Sequence, residues 1–495
     1  MNDKSVHIKS FGCQMNKLDT TLVISALKEA GFDLTESVKE ADVVLINTCS
    51  VREHAEQRVL SHLGHLKHIK KSRPDMIVGV IGCMAQRLGD KLLEHEAVNI
   101  VCGPTQIPQI ADLLKQALEK NEKRLAVTEK ILQKTTEMQN QALERFESAY
   151  GIESSTNFHR STTCSQCQRD KNRPHHKLRQ SSLKIGAGQI PSQAFVRVMR
   201  GCNNFCTYCI VPYVRGPEVC RPPEAIIEQI KRLASEGIKQ VTLLGQTVNS
   251  YKYKKGERTY CLADLLDTAS DIDGIEWLRF VTSYPSEEFF DEILQVMADS
   301  PKVCNYLHMP AQSGSDKILS AMNRHYSAFW YLELLDKARA AVPGIAIAGD
   351  FIVGFPGETE DDFQATVDLL KKARYRNCFI FKYSPRPGTT ADKRLQDTVP
   401  AEVKQKRIAE LLAAQEKISD ELSWDYLGKE VKVLVEGLSK KSHSNVGDSG
   451  DKPQLVGRTA MDYIVVFNGP VSLAGQFAKV KIIKTSPLTL FGELI

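Results

Sequence analysis

Along the first 115 or so residues, short apolar runs recur: VHIKSF, VVLIN, MIVGVI and NIVC. Each is followed by a stretch with helical spacing, such as DTTLVISALKEAG or AEQRVLSHLGHLKHIKK. Strands alternating with helices imply βαβ units and a parallel, doubly wound sheet. From about 120 to 190 the pattern fades into a polar, Gln- and Lys-rich stretch with little apolar periodicity, the mark of a linker or insert. The alternation then resumes through AFVRVMRG, VTLLGQ, WLRFVTS, VCNYLHMP, IAIAGDFIVGFPG and NCFIFKYS, which suits a full or partial β/α barrel. Past the long helical stretch AEVKQKRIAELLAAQEKISDELSWDYLG, short β-rich runs with Gly and Pro turns indicate a small barrel of about five strands. The fold class expected is α/β: a doubly wound domain over 3–120, an insert over 121–187, a β/α barrel over 188–420 and an all-β barrel over 423–493.

Length agrees, since 495 residues suggest about three domains. No apolar run approaches the roughly 20 residues of a membrane-spanning helix, and the polar start MNDKSVHIKS lacks a secretory signal. A soluble, cytoplasmic protein with no membrane association is expected. Thirteen cysteines are too few for a disulfide scaffold of this length, and in a reducing compartment clustered cysteines are more often metal ligands or catalytic groups. The net charge is 65 − 60 = +5. Residues 160–184 alone hold seven Lys/Arg against one Asp, or +6, so the basic excess belongs to the insert.

The strongest chemical signal is the C-x3-C-x2-C triplet of Cys202, Cys206 and Cys209, directly after the strand FVRVMRG. Barrel active sites are built at the carboxyl ends of the strands. Three thiolates at this spacing can wrap one iron–sulfur cube and leave one of its four irons open for a small molecule. A structural zinc knuckle is the competing reading, but no fourth ligand at zinc spacing completes it.

A second trio is dispersed. Cys13 follows VHIKSFG, Cys49 follows VVLINT and Cys83 follows MIVGVIG, so each cysteine ends an apolar strand of the N-terminal sheet. In doubly wound sheets the loops beyond the strand ends converge on one crevice. One such cysteine would pass as an ordinary core residue; three at equivalent strand ends favour a second cluster. Cys102 also sits at a strand end and could compete, while Cys261, Cys304 and Cys378 fit packing roles.

The strings RGCNNFCTYCIVPYVRGPEVCR, LLGQTVNSY, MPAQSGSDKILSAMNRHY, GDFIVGFPGET and FKYSPRPGT, in this order from 195 to 390, resemble the methylthiotransferase branch of the radical S-adenosylmethionine enzymes. FGCQMNKLD (11–19) and NTCSVREHAEQRV (47–59) resemble the tRNA-modifying members. The resemblance implies two 4Fe–4S clusters, one on Cys202, Cys206 and Cys209 and an auxiliary one on Cys13, Cys49 and Cys83. It implies that S-adenosyl-L-methionine chelates the open iron and is split to a 5′-deoxyadenosyl radical. The implied reaction is methylthiolation of carbon 2 of N(6)-dimethylallyladenosine in tRNA at position 37, next to the anticodon, with a second S-adenosylmethionine as methyl donor. A one-electron donor of flavodoxin or ferredoxin type and a monomeric enzyme complete the expectation. The alternatives are methylthiolation of threonylcarbamoyl-adenosine or of a ribosomal protein, or a non-catalytic iron–sulfur RNA-binding protein. The chain departs from the family pattern at Thr247, usually Asn, at Cys220, usually Ser, and at Ala311, usually a larger apolar residue.

Weaker candidates follow. Gly354, Pro356 and Gly357 in IVGFPGE permit close backbone approach to a bound nucleoside, or form a plain βα turn. Gln312 and Ser313 would face the same cavity, and Glu218 and Arg221 would touch substrate or cofactor, or make a surface salt bridge. The C-terminal barrel resembles a TRAM domain, with Lys429, Lys432, Lys440, Lys441 and Arg458 as candidate phosphate contacts. In the insert, Cys164 and Cys167 form a CxxC that His175 and His176 could complete as a zinc site. A linker with a chance CxxC is favoured over zinc, because little apolar sequence surrounds it.

Overall fold

The computed structural model describes residues 4–50, 53–120, 122–129, 137–150, 192–439 and 453–495. The N-terminal unit is a six-stranded parallel sheet. Lys4–Ser10 lies between Phe32–Leu34 and Val43–Thr48, and the sheet continues through Ile77–Gly82, Ile100–Cys102 and Arg124–Ala126. Val43–Thr48 and Ile77–Gly82 are buried at every position, because helices cover both faces of the sheet and leave no side for polar alternation. The strand Arg124–Ala126 and the helix Glu137–Tyr150 fall inside 121–187, the stretch expected to be an insert. The strand extends the sheet, and Phe146 of the helix joins the apolar core that Leu18, Leu22 and Leu114 share.

The central unit is a partial barrel. Gln193–Arg197, Gln240–Leu244 and Trp277–Val281 form one parallel sheet; Tyr306–His308, Ala346–Val353 and Asn377–Lys382 form another. The parallel bridge Leu278↔Val303 joins them into an open arc of six strands. Its core, including Val196, Leu243, Leu278, Leu307 and Phe351, packs against surrounding helices. The helix Glu360–Ala373 shows why such a helix starts where it does. The Thr359 side chain accepts from Asp362 N while Asp362 accepts from Thr359 N, and three carboxylates crowd its first turn against two lysines in its last. A cap of this kind contributes about 1 kcal/mol, and the charges complement the helix dipole.

The first barrel strand does not run straight into the triplet, as FVRVMRG suggests. It ends at Arg197, and Met199–Arg200 then pairs antiparallel with Val219–Cys220. The triplet is thus carried on a loop closed by a two-stranded clasp.

The C-terminal unit is a closed five-stranded barrel. Phe477–Thr485 alternates buried and exposed positions through most of its length, as a strand of a small barrel must. The barrel docks under the central arc. Met461 meets Tyr306, Ala346 and Ala348, Leu434 packs with Trp277 and Cys304, and Arg279 donates to Thr459 O at 2.5 Å. No helix among the described residues is long and apolar enough to cross a membrane.

Candidate functional site

The dispersed cysteines meet where the sequence places strand ends. Cys13 immediately precedes the helix Gln14–Glu29, Cys49 follows Val43–Thr48, and Cys83 opens the helix Cys83–Leu88. Buried amides hold the loops together: Asn16 Nδ2 donates to Thr48 O at 2.7 Å and to Asn47 Oδ1 at 3.1 Å, and Asn47 Nδ2 returns a bond to Asn16 O at 2.8 Å. At Gly12, φ is +128°, and a Cβ there would lie 2.4 Å from Cys49 Cβ, so only glycine lets the two cysteine loops approach. The Cys13 thiol is held down to about 6, first by its hydrogen bond with Cys49 and, against burial, by the charge of Arg215. Burial pushes the Cys83 thiol up, while Arg215 Nε donates to its Sγ at 3.3 Å.

The triplet is built more tightly. Cys202 N donates to Gly216 O at 3.1 Å, across the base of the loop. Asn323 Nδ2 reaches both Asn204 O and Phe205 O at 3.2 Å, pinning Phe205 in a left-handed conformation with φ +45°. Thr247 Oγ1 lies 3.4 Å from Cys202 Sγ and accepts from Asn204 Nδ2 at 3.3 Å, so the position that departs from the family pattern touches a cysteine directly. Arg324 Nη1 donates to Cys206 Sγ at 3.4 Å, with its guanidinium stacked 4.2 Å from the Tyr284 ring centre. Burial pushes the Cys209 thiol up to about 12 and raises that of Cys202.

Each triad therefore offers three sulfurs and one buried guanidinium bonded to one of them. Among the described residues no three His, Cys, Asp or Glu side chains converge on a point suited to a single ion. Ligands of one zinc all lie about 2.3 Å or less from it, whereas thiolates on a four-iron cube bind separate irons. The donor set, three thiols with a guanidinium beside one of them, fits an iron–sulfur cube at each triad.

A buried ion network, illegible in the sequence, joins the two triads. Asp19 accepts from Arg215 Nη2 at 2.8 Å and pairs with Arg197 Nη1 at 3.1 Å. Arg197 also meets Glu147 at 3.0 Å, and Arg221 meets Glu144 at 2.7 Å and Glu147 at 3.5 Å. Arg221 is accordingly neither a surface salt bridge nor a group facing the barrel mouth. Glu218 accepts from Ser250 Oγ at 3.2 Å and from Asn203 N at 3.5 Å, bracing the triplet loop.

The remaining candidates make contacts within the protein. The Ser313 hydroxyl meets Thr366 Oγ1 at 3.3 Å, so it packs on the helix Glu360–Ala373 and not toward the cavity. Gln312 adopts φ +71° and exchanges backbone bonds with Asp350 and Ile352. A Cβ at Gly354 would meet Lys404 Cγ at 2.3 Å, so that glycine makes room for a lysine stem; Gly357 N donates to Thr398 Oγ1 at 3.1 Å, and Pro356 lies buried between them. Cys102 is buried in the N-terminal core with its thiol pushed up to about 12 by burial, and Cys304 packs with Trp277. Cys261 caps the helix Leu262–Ser270, and Cys378 packs against the central core. Lys432 pairs with Glu276, and Arg458 with Glu436 and Asp462, which neutralises two of the candidate phosphate contacts; Lys429 stacks over Tyr426. Lys440, Lys441, Cys164, Cys167, His175 and His176 lie outside the described residues.

The domain models agree with this architecture. Residues 196–370 match the radical SAM superfamily, residues 5–103 the uncharacterised family UPF0004, and residues 425–495 the TRAM domain. The chain is 39% identical over 492 residues to a tRNA-2-methylthio-N(6)-dimethylallyladenosine synthase of Rhodopirellula baltica, covering 99% of this chain and 95% of that one. It is 40% identical over 499 residues to the protein of the same name from Carboxydothermus hydrogenoformans, covering 100% of both. In fold it is similar to the radical S-adenosylmethionine methyltransferase TsrM of Kitasatospora setae, with a TM-score of 0.50 at 16% identity over 79% of this chain and 74% of that one. With its cysteine triads, its partial barrel and full-length likeness to these relatives, the chain belongs to the tRNA-2-methylthio-N(6)-dimethylallyladenosine synthase family of radical SAM proteins.

Proposed function

We propose that this protein adds a methylthio group to carbon 2 of N(6)-dimethylallyladenosine in tRNA. The observation that carries the reading is the pair of cysteine triads: one at the mouth of the parallel barrel, the other at the strand ends of the N-terminal sheet, with Arg215 of the first loop reaching Cys83 of the second. Cys202, Cys206 and Cys209 would hold one 4Fe–4S cluster, and Cys13, Cys49 and Cys83 the other. When bound, these groups together with S-adenosyl-L-methionine supply one-electron and radical chemistry, which side chains alone do not provide.

The chain's own part is placement and exclusion of water. Gly201 and the clasp Met199–Arg200/Val219–Cys220 fix the triplet loop, and Arg324 and Thr247 hold two of its sulfurs in place. The C–H bond at carbon 2 is unactivated, so proton transfer to a side chain would not break it at a useful rate, and radical chemistry is required. The TRAM barrel under the arc suits a polynucleotide substrate, and a flavodoxin- or ferredoxin-like protein would supply the electron.

Nucleoside mass spectrometry of tRNA from cells with and without this chain tests the reading. Loss of 2-methylthio-dimethylallyladenosine is expected; loss of a threonylcarbamoyl derivative in its place would overturn the substrate. Anaerobic incubation with S-adenosylmethionine and dithionite tests the chemistry, and absence of 5′-deoxyadenosine above background would overturn it.

A further inference from the structure

Arg215 closes the short helix Val211–Arg215, six residues after Cys209, and so belongs to the loop of the barrel triplet. Its guanidinium nevertheless serves the other triad. Nε donates to Cys83 Sγ at 3.3 Å and Nη2 to Asp19 Oδ2 at 2.8 Å, with both charged side chains buried. Asp19 lies on the helix that starts immediately after Cys13, and its second oxygen pairs with Arg197 at 3.1 Å. Arg197 ends the barrel strand five residues before Cys202. One carboxylate on the Cys13 helix is thus held from both flanks of the triplet loop, and one of the two guanidiniums gripping it also touches a sulfur.

We propose that Arg215 is a positioning residue that locks the N-terminal triad to the barrel triplet and sets the redox poise of the auxiliary cluster. The inference rests on the two-cluster reading above. A planar fork can bond a carboxylate and a sulfur at once, which a lysine ammonium on its flexible stem does not reproduce. A buried positive charge hydrogen-bonded to a ligand sulfur favours the more negative, reduced cluster and so raises its potential. A salt bridge that merely docked the two domains would need Asp19 alone, and would leave the cluster's potential unchanged when neutralised.

The test uses the full-length chain with Cys202, Cys206 and Cys209 replaced by Ala, so that only the auxiliary cluster is loaded, and follows its reduction by electron paramagnetic resonance during a redox titration. In this background Arg215→Met should lower the reduced-to-oxidised ratio at fixed potential about tenfold, equivalent to about 59 mV for a one-electron couple. The double variant Asp19→Asn/Arg215→Met, which leaves no unpaired carboxylate, should shift in the same direction but by less, because the opposing Asp19 charge is removed with Arg215; it serves if the single variant folds poorly. Arg215→Lys, which keeps the charge and loses the fork, should hold the potential closer to that of the parent. In the otherwise native enzyme it should uncouple 5′-deoxyadenosine formation from methylthio product. A parent protein that binds no auxiliary cluster would sink the two-cluster reading itself. A loaded parent whose potential is unmoved in both methionine variants would overturn the role of Arg215 and leave the two clusters standing.

Discussion

Gly201→Ala isolates the geometry of the barrel triplet without touching a sulfur. Gly201 precedes Cys202 and has φ +74°, a conformation that costs a residue with a Cβ roughly 1–2 kcal/mol. The added Cβ would also lie 1.9 Å from Pro217 O, 2.4 Å from Pro217 C and 2.5 Å from Gly216 O. Ordinary contact begins near 3.4 Å, so the shortfall is 3.4 − 1.9 = 1.5 Å, and every atom in the way is backbone. Gly216 O is also the acceptor for Cys202 N, so relief of the clash moves the cysteine itself. A displacement of about 1 Å at a reacting centre costs on the order of 100-fold in rate. The variant should lose most iron at the triplet and show 5′-deoxyadenosine formation reduced about 100-fold, with the auxiliary iron retained. Iron per chain, Mössbauer spectra and chromatographic assay of 5′-deoxyadenosine after anaerobic reconstitution measure these three quantities. Gly357→Ala is the control: φ is +81° but nothing lies within 4 Å of the new Cβ, so only the conformational strain of roughly 1–2 kcal/mol remains and the iron content should not change. Full iron and a 5′-deoxyadenosine rate near that of the parent in Gly201→Ala would refute the reasoning.

Further outcomes follow from the same geometry. Cys206→Ala should abolish 5′-deoxyadenosine while leaving the auxiliary cluster, and Cys49→Ala should retain 5′-deoxyadenosine but yield no methylthio product; Mössbauer spectra showing both clusters lost in each variant would refute two independent sites. Asp19→Asn leaves Arg197 and Arg215 without their shared carboxylate and should destabilise the N-terminal unit by about 3–5 kcal/mol, read as faster amide exchange in Gln14–Glu29. Burial opposes the Asp19 charge, but Arg215 and Arg197 overcome it and hold the carboxyl below its ordinary 3.8. Its contribution is therefore complete above that value and lost as pH falls through the lower folded one, so the difference between parent and Asp19→Asn should shrink only in strong acid. Deleting 158–186 removes the basic excess of the insert and should weaken tRNA binding and flatten its salt dependence, with both clusters intact; unchanged salt slopes would show that the insert does not touch RNA.

The chain's local pattern determined the three architectures and both cysteine triads. Largely apolar runs ending in Cys49 and Cys83, alternating with helical stretches, mark central strands of a covered parallel sheet, and in such a sheet the loops at the strand ends converge. The alternation in FAKVKII marked a small barrel by the same logic of burial. The edge strands Phe32–Leu34 and Arg124–Ala126 escaped notice because each carries a charged residue and lies half exposed, so no apolar run marks them, whereas the equally short Ile100–Cys102 is apolar and buried throughout. The charges were decided only in three dimensions. Arg215 and Asp19 are 196 positions apart, Arg324 and Cys206 118, and Lys432 and Glu276 156. Hydrophobic period records which face of an element is buried, and so survives in the sequence. The partner of a buried charge is chosen by how separate elements pack, and nothing in the residues beside Arg215 specifies that its fork will close on the carboxylate of another domain and the sulfur of Cys83.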